Sequence, residues 1–285
     1  MNNPKVSVII NCFNGSRFVN NCLKSVINQS YSNYEIILFD NNSSDNSIKQ
    51  AKKFNSKKIK IFKSKKKLKL YDARNKAIDK SKGKFLAFLD IDDTWLPKKI
   101  EKQINKMNFD KSDICYTNHW LINGRKKIFS KNKLPSKNMT HEILNNYPIC
   151  ISTVMMKRDI FFKMKKFDVN YEIIGDFDFI YRISKKYKFS AIQEPLVEYL
   201  IHQKSTTNKR LDLRIKEMNE WLNKNENNKY SIQFEKINLK NQYFTSSYFI
   251  TNNKYKKFFQ SLIHIRNINL KLKLLIKMLY FLIFK

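Results

Sequence analysis

Glycine is scarce in this chain, four among 285 residues, and no Gly-x-Gly-x-x-Gly run follows any apolar stretch. That excludes the glycine-rich loop whose backbone amides cradle a phosphate, so any phosphate must be held by something else. Cysteine is equally sparse: Cys12, Cys22, Cys115 and Cys150 lie far apart, with no Cys-x-x-Cys or Cys/His spacing. A zinc site or a disulfide framework is not expected, and the four thiols suit a reducing compartment. No stretch reaches the roughly 20 apolar residues that cross a bilayer. The run Val6 to Ile10 is too short and too soon followed by polar residues for a secretory signal, so a cytoplasmic protein is expected. Acids are few as well, 24 Asp and Glu against 56 Lys and Arg, for a formal net charge of +32. Alone, that charge suggests an anionic partner and a basic nucleic-acid-binding module. The cations are mostly Lys, spread over the whole length beside abundant Asn and Ile, which reads as compositional bias on exposed positions. Aromatic-rich RNA-binding signatures are missing, and no nucleic-acid partner is expected.

What is present is organised around Phe85 to Leu89, an apolar run that ends in Asp90, Asp92 and Asp93. Such a run reads as a strand buried on both faces, as in a parallel sheet, with the acids at its carboxyl end, where open α/β sheets bind ligands. Three carboxylates in four residues repel one another unless a cation neutralises them, and oxygen ligands favour Mg²⁺ or Mn²⁺, which could in turn hold a diphosphate. The alternative is that Asp92 or Asp93 caps the helix beginning near Pro97.

Upstream, Val6 to Asn11 and Tyr34 to Asp40 read as buried strands, with a helical spacing from Ser16 to Asn28 between them and a helix from Ile48 to Phe54 after them. Strand, helix, strand, helix predicts parallel pairing. Asp40 then stands at a strand end, like the acid that receives hydrogen bonds from a nucleoside in dinucleotide folds. Asp45 is either a ligand of the same kind or the cap of the next helix. Ile59 to Phe62 is a short third strand; the lysine run from Lys63 to Lys69 reads as solvated surface. Tyr71 opens a helix whose Arg74 and Asn75 could face the crevice and help to neutralise a diphosphate.

Beyond the acids, the pattern predicts a helix over Lys98 to Met107, a strand over Ile114 to His119, a hairpin turn at Asn123-Gly124-Arg125, a short helix over Thr140 to Asn146, a strand over Ile151 to Met156 and a helix over Asp159 to Met164. Asp176 and Asp178 begin an apolar helix, where residues two apart point in different directions. Asp176 is the expected crevice acid, able to accept the proton of an incoming hydroxyl, unless it only caps the helix.

Together these residues resemble the family 2 glycosyltransferases, inverting enzymes with a GT-A-type fold. Val6 to Asn14 is similar to their opening strand, which implies that Phe13 stacks on the donor base, with Asn14 beside it. Asp40 to Asp45, including Asn42, resembles the nucleoside-binding turn. Ala73-Arg74-Asn75 and Phe88 to Trp95 complete the pattern, implying donor contacts from Asp90 and Trp95 and metal contacts from Asp92 and Asp93. Gly175-Asp176-Phe177-Asp178 resembles the catalytic motif, with Gly175 where an acid often comes first and Asp176 as the implied base. His202, after Pro195 to Tyr199, is similar to a histidine placed near the metal in some members; the other reading is an ordinary surface histidine. The resemblance covers about residues 4 to 207.

It implies an α/β fold with a Rossmann-like, mostly parallel sheet flanked by helices, Mg²⁺ or Mn²⁺ as cofactor, a nucleotide-diphosphate sugar as donor and a saccharide or lipid-linked saccharide as acceptor. A nucleotidyltransferase is the alternative, although its basic glycine-rich loop is missing: Cys12 to Arg17 offers only Gly15. The expected organisation is a catalytic domain over 1–207 and a basic helical region over 208–285, with helices over Arg210 to Asn223, Ile232 to Asn253 and Tyr255 to Lys285. The last mixes lysines with a strongly apolar end. It could lie in the headgroup region of an anionic membrane, at the inner face of the cell membrane, or dock on the catalytic domain.

Overall fold

The computed structural model describes residues 5–130, 133–202, 210–225 and 230–283. Three apolar runs become adjacent parallel strands. β1 (Val6–Cys12) lies between β2 (Tyr34–Asp40) and β4 (Phe85–Asp90), so that Cys12 stands opposite Asp40 and Asn11 opposite Asp90. β3 (Ile59–Lys63) adds outside β2 in the same sense. The helices that make these crossovers possible are α1 (Val19–Ile27), α2 (Ser47–Lys52) and α3 (Leu70–Asp79). Val6, Val8, Ile10 and Cys12 alternate onto one face with Ile36, Leu38, Ala87 and Leu89, and α1 buries Val19, Cys22, Leu23 and Val26 against them. A pair of strands buried on both faces leaves one exit for polar side chains, the carboxyl ends.

Beyond β4 the sheet becomes mixed. Among the described residues its order is β3-β2-β1-β4-β8-β6-β9-β5, with β5 (Thr94–Trp95), β6 (Ile114–Asn123), β8 (Met155–Lys157) and β9 (Phe189–Leu200), and β7 (Lys126–Phe129) pairs with β6. The turn at Gly124, φ +58°, closes the β6–β7 hairpin as the sequence predicts. Among the described residues four further α-helices belong to this unit: α4 (Lys99–Asp110), α5 (Met139–Asn146), α6 (Arg158–Lys163) and α7 (Gly175–Ser184).

Two expectations need correction. The strand expected over Ile151 to Met156 is a single 3-10 turn, Ile151–Thr153, followed by β8, because Thr153 folds back to give both its amide and its hydroxyl to the Cys150 carbonyl. The continuous helix expected from Tyr255 onward is two, Tyr255–His264 and Ile268–Ile283. Ile265 is extended and buried between them, and the Asn267 side chain accepts the Leu270 amide to start the second helix.

The chain divides into two compact units, Met1–His202 and Gln203–Lys285. The second is helical. Besides the two helices just named it contains Leu211–Lys224 and Ser231–Thr251, joined by stacking of Trp221 on Phe234 at 5.2 Å, and it has its own small core of Ile250, Phe258, Ile265, Leu274 and Met278.

Candidate active site

The polar side chains gather at the carboxyl ends of β1, β2 and β4, in two neighbouring groups. The first surrounds Asp40, which is fully buried. Its Oδ1 accepts the Ser43 amide at 2.9 Å, while its Oδ2 has no partner among the described residues beyond Lys63 Nζ at 4.0 Å. Asn14, in the left-handed region at φ +50°, accepts the Ser44 amide and gives its own amide to Ser43 Oγ, holding the turn after β2 against the turn after β1. Asn42 is exposed at the tip of that turn, φ +63°. Phe13 is 42% exposed, and the Lys67 ammonium stands over its ring, 4.2 Å from the centroid.

Asp45 stands one residue before Asn46, the N-cap of α2, and is tied into the turn by its own hydrogen bonds. It accepts the amides of Ser16 and Ser47 and the Ser47 hydroxyl, and although burial raises its pKa, these hydrogen bonds outweigh that and hold it below the ordinary carboxylate value.

The second group surrounds Asp90. Arg74, buried on α3, reaches it at 2.5 Å and lies over the rings of Tyr71 and Phe167. Burial would lower the guanidinium pKa, but the charges of Asp90, Tyr71 and Asp176 raise it, so it stays a cation. Burial also raises the Asp90 carboxyl, opposed by Arg74 and reinforced by Asp92 and Asp176. Asp176, at the start of α7, accepts the Tyr71 hydroxyl at 3.1 Å and the Phe177 amide at 2.8 Å. Burial raises its pKa, and Arg74, the Phe177 amide and Tyr71 draw it part of the way back. Asp178 points elsewhere, to Arg182 at 2.8 Å, as a residue two positions on should.

Asn75 does not face the crevice: its amide is spent on both backbone groups of Phe167, at 3.0 and 3.2 Å. Trp95 is buried, its indole N–H donating to the Ser152 carbonyl at 2.9 Å, with the Lys99 ammonium 3.9 Å from its ring centroid. The Trp95 indole N–H is thus committed within the fold, and Asn75 is held against the Phe167 backbone.

Asp92 and His202 meet at 2.8 Å, and the imidazole is further placed by the Phe18 ring at 5.3 Å. Of this pair the carboxylate is the donor that suits Mn²⁺ or Mg²⁺, with the imidazole beside it and ligand oxygens needed to complete the coordination. No cluster of three or more His, Cys, Asp or Glu that could hold a metal occurs among the described residues, so a diphosphate would have to supply the other oxygens. Asp93 does not fit that donor set. It is buried, one oxygen accepting the Ser152 hydroxyl at 2.6 Å and the other the Leu200 amide at 3.1 Å, and burial with the charges of Asp90 and Asp92 pushes its carboxyl well above the ordinary value.

Three residues escape the sequence reading. Ser152 supports the acidic turn from below, accepting the Asp90 amide and donating to Asp93, yet it lies in an apolar run with no motif. Asn11 carries both amide atoms buried without a hydrogen-bond partner among the described residues, beside Asp90 in the sheet. The Tyr147 hydroxyl is buried close to Asp176; burial first, and then the charge of Asp176, raise its pKa. Orphaned polar atoms around a crevice mark where a ligand or water completes the hydrogen bonding.

The family profile described as "Glycosyl transferase family 2" matches residues 7–164. The chain belongs to glycosyltransferase family 2. The matched span includes Asp40, Arg74 and the acids after β4, whereas Asp176 and His202 lie beyond it. Among curated relatives, the Escherichia coli enzyme named UDP-Glc:alpha-D-GlcNAc-diphosphoundecaprenol beta-1,3-glucosyltransferase WfgD is 32% identical over 160 residues, covering 56% of this chain and 63% of that one. An uncharacterized glycosyltransferase of Methanocaldococcus jannaschii is 30% identical over 210 residues, covering 70% and 72%. In three dimensions this glycosyltransferase is similar to S. aureus TarS in complex with UDP-GlcNAc, with a TM-score of 0.73, 16% identity, and 90% and 79% of the two chains covered. It is also similar to the mannosyltransferase PcManGT of Pyrobaculum calidifontis in complex with GDP-Man and Mn²⁺, with a TM-score of 0.61, 14% identity, and 86% and 72% covered. The fold is the expected GT-A type.

Proposed function

We propose that this glycosyltransferase moves a sugar from a nucleoside-diphosphate sugar to an acceptor hydroxyl with inversion at the anomeric carbon. The observation that carries the reading is Arg74, which binds Asp90 while holding its charge beside Asp176. That arrangement supports a donor acid, a cation and a candidate base acting in one crevice. Asp176 takes the proton of the acceptor hydroxyl as that oxygen bonds to the anomeric carbon and the carbon–oxygen bond to the diphosphate breaks. Arg74 faces the charge that accumulates on the departing diphosphate. Phe13 stacks on the base, and Asp40, whose Oδ2 meets only Lys63 Nζ at 4.0 Å among the described residues, accepts a hydrogen bond from the nucleoside. Asn14 and Asn42 shape that turn. Asp92 and His202 would hold Mg²⁺ or Mn²⁺, which when bound supplies charge to offset the diphosphate.

The acceptor in this proposal is a lipid-linked or surface-polysaccharide saccharide, by likeness to the E. coli relative, whose name specifies a diphosphoundecaprenol substrate. Catalysis belongs to residues 1–207, with 208–285 as a basic helical accessory, and the reaction takes place on the cytoplasmic side, where the free thiols Cys12, Cys22, Cys115 and Cys150 are at home. The test is a panel of UDP-, GDP- and dTDP-sugars with Mn²⁺, read by thermal stabilisation and by donor hydrolysis. One nucleotide class should stabilise the protein and be turned over; indifference to all of them overturns the reading.

A further inference from the structure

The helix Ile268–Ile283 carries two opposite apolar faces. Leu274 and Met278 are buried in the core of the second unit, with Leu270 and Phe281 packed against it. Ile268, Leu272, Ile276, Leu279 and Ile283 are exposed, Ile268 and Ile283 each at 71%. At 3.6 residues per turn these five fall within an arc of about 80°, and Lys271 and Lys273 stand about 60° beyond its two edges. A helix with one side already in a core has no need of a second apolar stripe. Five large side chains left in water along one line mark a surface that something covers.

The charge around the stripe indicates what. From Lys236 to Lys285 the sequence contains ten Lys or Arg and no Asp or Glu. Lys254, Lys256, Lys257 and Arg266 are exposed in the same unit, and Phe259 and Ile263 are exposed on the preceding helix. A second copy of this face would bring like charges together around the stripe, which disfavours self-association. An anionic bilayer surface satisfies both features. Apolar side chains enter the acyl boundary, and lysines at the rim reach up to the headgroups. No helix among the described residues is long and apolar enough to cross a membrane, so the geometry is one of lying on the surface.

We infer that the Ile268, Leu272, Ile276, Leu279 and Ile283 face of this helix inserts into the surface of an anionic lipid membrane, with Lys271 and Lys273 on the headgroups. This deepens the proposed function, since a lipid-linked acceptor is met at a membrane. It is tested without any sugar nucleotide, so that either reading can fail alone. The purified full chain is sedimented with vesicles of phosphatidylcholine alone and of phosphatidylcholine with phosphatidylglycerol, and a Leu279→Trp variant reports insertion by its emission. The inference expects binding that requires phosphatidylglycerol, a blue shift on binding, and a loss of about tenfold or more in partitioning for Leu272→Ser/Ile276→Ser, whose exposed positions leave thermal unfolding unchanged. Equal partitioning of the serine variant overturns it, as does binding without a blue shift, which would be adsorption by charge alone. Concentration-dependent dimers abolished by the serine variant would also overturn it and assign the stripe to a second copy.

Discussion

The ring of Tyr71 occupies the place where a β-carbon on residue 175 would stand, 2.5 Å from two of its ring carbons, so Gly175 and Tyr71 are a matched pair. The absence of an acid before Asp176 follows from this contact. With no side chain at 175, the tyrosine lies flat against the start of α7 and its hydroxyl reaches Asp176 and the Ile173 carbonyl. Where an acid would stand, an aromatic ring fixes the carboxylate instead.

Gly175→Ala should therefore destabilise the protein, although alanine in a helix is ordinarily favourable. The clash outweighs propensity, and a loss of about 1–3 kcal/mol is expected. Tyr71→Ala in the same chain should remove that penalty, giving a double-mutant coupling in thermal or urea unfolding. Additive effects would show that the two residues do not meet.

Asp176→Asn should retain donor binding and lose transfer, measured by calorimetry with the nucleotide and by turnover. Donor affinity lost in parallel with turnover would argue against a base. The pH dependence has a defined sign. Asp176 must be ionised to accept a proton, and burial raises its pKa, so the acidic limb of kcat should lie above the ordinary carboxylate value of about 3.9. Tyr71→Phe removes a hydrogen bond that favours the charged form, and the limb should move to still higher pH.

Asp92 and Asp93 should separate cleanly in a metal titration. Asp92→Asn should weaken Mn²⁺ binding by about tenfold or more in the presence of nucleoside diphosphate, followed by electron paramagnetic resonance. Asp93→Asn should leave that affinity near wild type and instead lower the melting temperature, because it disturbs two buried hydrogen bonds.

Ser152→Ala is expected to cost about 1–3 kcal/mol, since the Asp90 amide and one Asp93 oxygen both lose their partner. The bond from Trp95 should survive, because it ends on the Ser152 carbonyl rather than the hydroxyl. Unfolding of this variant, with the indole environment as a second probe, checks both statements.

Much of this molecule is legible in its amino-acid order because the information is local. Runs such as Val6 to Ile10 and Phe85 to Leu89 can be strands only if buried on both faces, and the helical spacings between them impose parallel crossovers. Acids placed directly after such runs must emerge at the carboxyl edge. Asp176 and Asp178 are distinguished by helical geometry alone.

Other assignments depend on partners far along the chain. Asp92 and Asp93 are adjacent in sequence, and only the distant His202, Ser152 and Leu200 pair one with an imidazole and make the other a buried support. Asn75 stands beside Arg74, yet the loop at Phe167 claims its amide. Composition and periodicity thus determined the parallel half of the sheet, its crossovers and the edge where chemistry gathers. Tertiary structure decided which of those polar groups are already satisfied, because a hydrogen bond between residues a hundred positions apart leaves no trace in local sequence.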